Sequence, residues 1–238
     1  MTRLQAELHR LYFPPAGPIE AAAAASLLDP EGRVRVALLA LTGPADWTLL
    51  STVWRGVQAE LELPAPAIAV AGQGGYQLWF SFVEPTALGL AKSFVEALQL
   101  RYLGGVASGR VSTLAPCRAD LPPRQMDVQQ DFWSAFVAPD LAPVFAAEPW
   151  LDIPPSPEGQ ADLLCRLESI KPAALQLALS RLGVQVFSPP SLLAEPAGTA
   201  TATASLDPTS FLLKVMNDES VAMALRIEAA KALLQAKK

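Results

Sequence analysis

Apolar residues follow one another along this chain in two rhythms. Val34 to Leu41 is an almost uninterrupted apolar run of strand length, the pattern of a strand covered on both faces. Ala67 to Val70 and Tyr76 to Val83 read as two more strands, joined by a turn rich in glycine. Between the first two strands the spacing becomes helical. Trp47, Leu50, Trp54, Val57 and Leu61 recur at intervals of three and four behind Asp46, an N-cap residue, and Pro64 and Pro66 end the stripe. From Thr86 a second helix carries Leu88, Ala91, Val95, Leu98 and Tyr102 at the same spacing, up to the stop at Gly104-Gly105. Strand, helix, hairpin, helix predicts an α/β (α+β) domain.

Flanking segments are less regular. Residues 1 to 12 and 18 to 28 read as short helices, the second halted by Asp29-Pro30-Glu31-Gly32. Val106 to Pro157 is rich in proline and aromatic residues, which predicts irregular but packed structure. Ser156-Pro157-Glu158 and Lys171-Pro172 open two further helices, and Gly183 caps the last of them before a short strand, Val184 to Phe187. The stretch that follows holds Pro189, Pro190, Pro196 and a repetitive Ala-Thr tract, the composition of a linker. Beyond it, Asp207-Pro208 opens a helix with Phe211, Leu212, Val215 and Met216, and a second helix carries Val221, Leu225, Ala229 and Leu233. The predicted organisation is a domain over 1–187, a linker over 188–206 and a helical hairpin over 207–238. A hairpin of that size buries too little to stand alone and is expected to dock on the domain or on another chain.

Composition narrows the chemistry. The chain has 238 residues, of which 51% are hydrophobic and 17% charged, enough to build a sizeable core. A net charge of -5 argues against broad attraction to phosphate backbones, so nucleic acid or nucleotide as a partner gains nothing from charge. Cys117 and Cys165 are far apart and His9 is the single histidine, which excludes a Cys/His zinc site and leaves Ser/His/Asp or Cys/His catalysis one poorly placed candidate. The charged amphipathic N-terminus lacks the apolar core of a signal peptide, and the longest uncharged run, Leu63 to Val83, is broken by prolines and glycines. A cytoplasmic protein with no membrane partner is expected.

Ala71-Gly72-Gln73-Gly74-Gly75-Tyr76-Gln77-Leu78-Trp79-Phe80 resembles the second motif of the archaeo-eukaryotic primase-polymerase family, a glycine-rich turn running into a strand. The likeness extends over about residues 33 to 103 and includes the first strand, the helix with a Trp near its start and the helix after Pro85. It implies a primase-polymerase-like core with helical additions. In that family two metal ions held by clustered carboxylates assist nucleotidyl transfer. Here Ala71 stands in place of the motif Ser and Gln77 in place of the motif His; Leu38-Leu39-Ala40-Leu41-Thr42-Gly43 occupies the station of the first two acids, and Gly104 to Ala119 contains none for the third. What the resemblance implies is therefore a non-catalytic member without catalytic residues, metal or cofactor, acting as an accessory or binding protein in DNA replication or on a mobile element. The C-terminal hairpin resembles the short helical motif of phage small-terminase-like proteins, which implies a protein or DNA contact.

The residues themselves leave two readings of the turn. Gly72, Gly74 and Gly75 serve either a tight hairpin that needs positive φ or a cradle whose backbone N–H groups receive an anion. In the second case Gly72, Gln73, Gly74, Gly75, Tyr76 and Gln77 are the ligand-binding candidates, although Gln77 also fits the outer face of an alternating strand. Trp47, Trp54 and Trp79 sit at spacings that packing explains. A protein-interaction adaptor, with a purely structural turn and a partner recruited through residues 207–238, is the second function class. An enzyme using Asp120, Asp127, Asp131, Asp140, Glu148 and Asp152 is the third.

Overall fold

The computed structural model describes residues 1–15, 27–72, 75–113, 121–127, 129 and 131–184. Helix α1 (Arg3–Tyr12) opens on a reciprocal cap: Thr2 Oγ1 accepts from the N–H of Gln5 (3.2 Å), and the N–H of Thr2 donates to Gln5 Oε1 (2.8 Å). Strand β1 (Arg33–Leu41) leads to α2 (Trp47–Ala59), where Asp46 accepts from the N–H of Leu49 as an N-cap should. Then come β2 (Ala67–Val70), β3 (Tyr76–Ala87) and α3 (Leu88–Leu103). The pairing of Arg33 with Ala87 and Val34 with Thr86 carries β3 beyond Val83, so α3 starts at Leu88 and not at Thr86.

The middle of the chain departs from expectation. Residues 106–157 were expected to be irregular, but they supply β4 (Val111–Ser112), β5 (Arg124–Asp127) and β6 (Phe132–Val137). These strands are short, and they form because the central strands offer them a backbone edge, which no local pattern announces. Helices α4 (Pro157–Leu164) and α5 (Pro172–Arg181) begin where the prolines place them, and Gly183 turns the chain at φ +76°. Val184 is not in a strand, and 185–187 lie outside the described residues, as do the linker and the C-terminal hairpin. Most of the helix expected over 18–28 also falls outside them. Its last two residues are not helical: Leu28 forms an antiparallel bridge with Val34, because Asp29 accepts from the N–H groups of Glu31 and Arg33 and turns the chain back on itself.

The sheet is antiparallel throughout, in the order β4-β1-β3-β2-β6-β5. The class is therefore α+β. Within it, β1-α2-β2-β3-α3-β4 with spatial order 4-1-3-2 is the split βαβ arrangement, in which two strands joined through a helix are separated by a third. Both faces are covered, as the unbroken apolar run of β1 predicts. On one face Leu39, Leu78 and Phe80 pack with Leu50 and Val57 of α2, Phe94 and Leu98 of α3 and Leu179 of α5. On the other, Val36, Leu38, Trp79 and Phe136 meet Leu11 and Tyr12 of α1 and Leu164 of α4. Trp47 and Trp79 are core residues; Trp54 is only half-buried and ties its indole N–H to the carbonyl of Pro66 (3.2 Å).

Where a neighbouring strand stops, a single residue takes over the exposed edge. Beyond the end of β5, the Gln160 side chain accepts from the Phe136 N–H (2.8 Å) and donates to its carbonyl (2.9 Å). Beyond the end of β2, Leu151 pairs both ways with Trp133, and Ile170 bridges β3 by bonding Ser81 and Val83. These bonds satisfy backbone groups that the neighbouring strand leaves without a partner.

Candidate functional site

The turn between β2 and β3 sits where three segments converge. Leu41, at the end of β1, pairs with Tyr76 on β3 and with Val111 on β4. These are the three stations marked out by the primase-polymerase resemblance: the end of the first strand, the glycine turn with its strand, and a later strand. The fold brings them side by side.

Two glycines in the turn have the left-handed backbone expected of them, Gly72 at φ +56° and Gly75 at φ +61°. The N–H of Ala71 donates to the carbonyl of Gly75 (3.0 Å), and the N–H of Gly75 to the carbonyl of Gly72 (2.8 Å). A Cβ on Gly75 would run into the carbonyl oxygen of Leu41, so no other residue fits between the turn and β1. A Cβ on Gly72 would meet only the flexible end of Met126. The N–H of Gly72 is committed to the carbonyl of Pro149 (2.8 Å). Gln73 and Gly74 lie outside the described residues.

Tyr76 and Gln77 point to opposite faces of β3. The Tyr76 hydroxyl donates to the carbonyl of Ala142 (2.6 Å), and its pKa is pushed up to about 12 by burial and by the negative charge of Asp46. A phenol so placed is a poor proton donor or acceptor at neutral pH. Gln77 is buried, contrary to the outer-face expectation, and its Oε1 accepts from the indole N–H of Trp79 (2.9 Å). The alternation fails because β3 has a hydrophobic layer on each side, and α1 with Trp79 occupies the face where a solvated residue would stand.

At the first station, Leu38, Leu39, Ala40 and Leu41 are all buried. Thr42 leads into a loop held by Arg110: its guanidinium donates from Nε to the carbonyl of Gly43 (2.8 Å) and from Nη2 to that of Pro44 (2.9 Å), while the N–H of Thr42 donates to the Arg110 carbonyl (2.8 Å). Arg110 was not a sequence-derived candidate. Its signal was faint, one of two cations in a stretch without acids, and its partners are more than 60 residues away.

No family model and no curated protein matches the chain. Function must therefore be argued from the geometry. Among the described residues, which include Asp127, Asp131, Asp140, Glu148 and Asp152 but not Asp120, no group of three or more His, Cys, Asp or Glu is placed to hold a metal ion. Nor, among the described residues, is any helix long and apolar enough to cross a membrane.

Proposed function

We propose that this chain is a catalytically inactive primase-polymerase-like protein that serves as an accessory or binding module in DNA replication or on a mobile element. The observation that carries the reading is the end of β1. The strand from Leu38 to Leu41 ends at Leu41, which pairs with Tyr76 beside the glycine turn and with Val111 of β4; nucleotidyl transfer would need carboxylates there to hold its cations, and all four residues are apolar and buried. Under this reading the acid positions are filled by core residues, so the chemistry is lost and binding is the role left to the domain. Gln77 agrees with this, since its amide is engaged by Trp79 and it cannot titrate.

The test is a template-dependent incorporation assay with labelled nucleotide and magnesium or manganese. No incorporation is expected, from the native chain or from Gln77→His, which restores one side chain but no carboxylate. Incorporation that disappears on a point substitution in this chain overturns the proposal. Titration with nucleoside triphosphates then asks whether binding survives without catalysis.

A second reading is supported by the hydrogen bonds of the turn itself. The N–H groups of Gly72 and Gly75 are spent on backbone carbonyls, which favours a structural turn and an adaptor that recruits a protein partner through residues 207–238. Removing 207–238 would abolish partner capture under that reading and leave any nucleotide binding unchanged.

A further inference from the structure

Charge is distributed unevenly along the chain. From Gln125 to Cys165 there are seven Asp or Glu and no Lys or Arg, although the whole chain is only -5; two of the seven, Glu158 and Asp162, pair with Arg3. Three of the half-buried aromatic residues in this stretch, Phe132, Trp133 and Trp150, lie close together. The rings of Phe132 and Trp150 are 4.5 Å apart, and Trp133 pairs through its backbone with Leu151, the residue after Trp150. Two carboxylates flank them: Asp131 accepts from the Trp133 indole N–H (3.0 Å) and from Gln125 Nε2 (2.7 Å), and Asp152 accepts from the Trp150 indole N–H (3.1 Å). Among the described residues, neither carboxylate forms an ion pair. Ile153, next in the chain, is 69% exposed.

We infer that the surface formed by the start of β6 and the segment Trp150–Ile153 is a docking surface for a basic amphipathic segment of a protein partner. Charge complementarity selects the occupant. An aromatic step with an exposed aliphatic residue offers apolar area, and carboxylates that have no cationic partner among the described residues favour Lys or Arg beside it while repelling a phosphate backbone. Aromatic faces also attract cations directly. The arrangement is rigid enough for the purpose, because each indole is tethered by the carboxylate that would meet the incoming cation. The inference stands apart from the primase-like reading, since it uses none of the residues around the glycine turn.

The probe is a labelled synthetic peptide of Lys and Leu patterned as an amphipathic helix, titrated with the full chain by fluorescence anisotropy. Two comparison probes are the same peptide with Glu in place of Lys and a single-stranded oligonucleotide. The Lys/Leu peptide is expected to bind more weakly as salt rises, and the Asp131→Asn/Asp152→Asn variant is expected to weaken it about 5-fold or more. Asn keeps an acceptor for each indole N–H, so the fold is preserved; thermal melting checks this, and Asp152→Asn alone gives a second, milder variant. Glu84→Gln, on another part of the surface, leaves binding unchanged. The inference is overturned if the Lys/Leu peptide does not bind, if the Glu peptide binds equally well, if the oligonucleotide binds in preference, or if the Asn variants bind like the native chain.

Discussion

Gln160 contributes more to this fold than its place in a short helix suggests. Its amide stands in for a missing strand, bonding both the N–H and the carbonyl of Phe136 at a site where Gln160 itself is 6% exposed. Gln160→Met keeps most of the volume and removes both partners. A buried backbone group left unsatisfied costs about 1–3 kcal/mol, so two of them bring the expected loss to about 2–6 kcal/mol, less whatever an entering water recovers. That is a large fraction of the roughly 5–15 kcal/mol by which domains are stable. Urea unfolding followed by far-ultraviolet circular dichroism measures it, and the change should appear as a lower midpoint with an unaltered slope. Gln160→Glu is informative as well, since an ionised carboxylate can accept from the Phe136 N–H but would face its carbonyl; it should be destabilised too, although it keeps one bond. If Gln160→Met lies within about 0.5 kcal/mol of the native chain, the range of an ordinary surface change, the amide clip is not holding β6 and the argument fails.

Other consequences can be measured in the same way. Gly75→Ala should cost more than the roughly 1 kcal/mol of its positive φ, because the new methyl group meets the Leu41 carbonyl, whereas Gly72→Ala meets only Met126 and should cost less; equal values in urea titrations would count against the close approach. Burial alone would raise the Asp29 carboxyl, but the Arg33 N–H, the Arg33 guanidinium and the Glu31 N–H outweigh it and hold the pKa below the ordinary value. Its contribution is therefore complete above the unfolded value of about 3.9 and is lost as pH falls through the lower folded value, so Asp29→Asn should flatten the acid limb of a stability–pH curve and leave its slope above pH 6 unchanged. Gly56→Ala places a methyl group against the Tyr102 ring and should lower the melting temperature by several degrees; no change would mean that α2 and α3 can separate without loss. Truncation after Phe187 should leave a cooperative melting transition, and its disappearance would show that the domain extends into the tail.

Much of the central fold was legible in the sequence. β1, α2, β2 and α3 appear close to where periodicity put them, because long apolar runs and 3-4 spacing follow directly from which faces are buried. The capping residues Asp46 and Ser156 could be read for the same reason, since their bonds lie within three residues. What stayed illegible depends on distant partners. β5 and β6 hold too few residues to show a period, and Gln160 and Arg110 find their acceptors 24 and more than 60 residues away. Gln77 was misjudged because alternation presumes one wet face, and β3 has none from Tyr76 to Phe82. The convergence of Leu41, the turn and β4 needed the sheet order, which sequence pattern alone does not provide.

Ile170 gives this architecture a timetable. It donates to the Ser81 carbonyl (2.7 Å), accepts from the Val83 N–H (2.9 Å), and sits beside Ser169, whose hydroxyl meets that of Ser81 (2.9 Å). During synthesis, the longest strand of the sheet would therefore emerge nearly ninety residues before the segment that completes its edge. At about 5–20 residues per second, that leaves several seconds in which the backbone edge of β3 from Ser81 to Val83 is open to wrong pairings on the ribosome. The chain should thus depend more on chaperones while it is being made than its final, fully covered sheet would suggest, and slowing translation between residues 90 and 170 should lower its soluble yield.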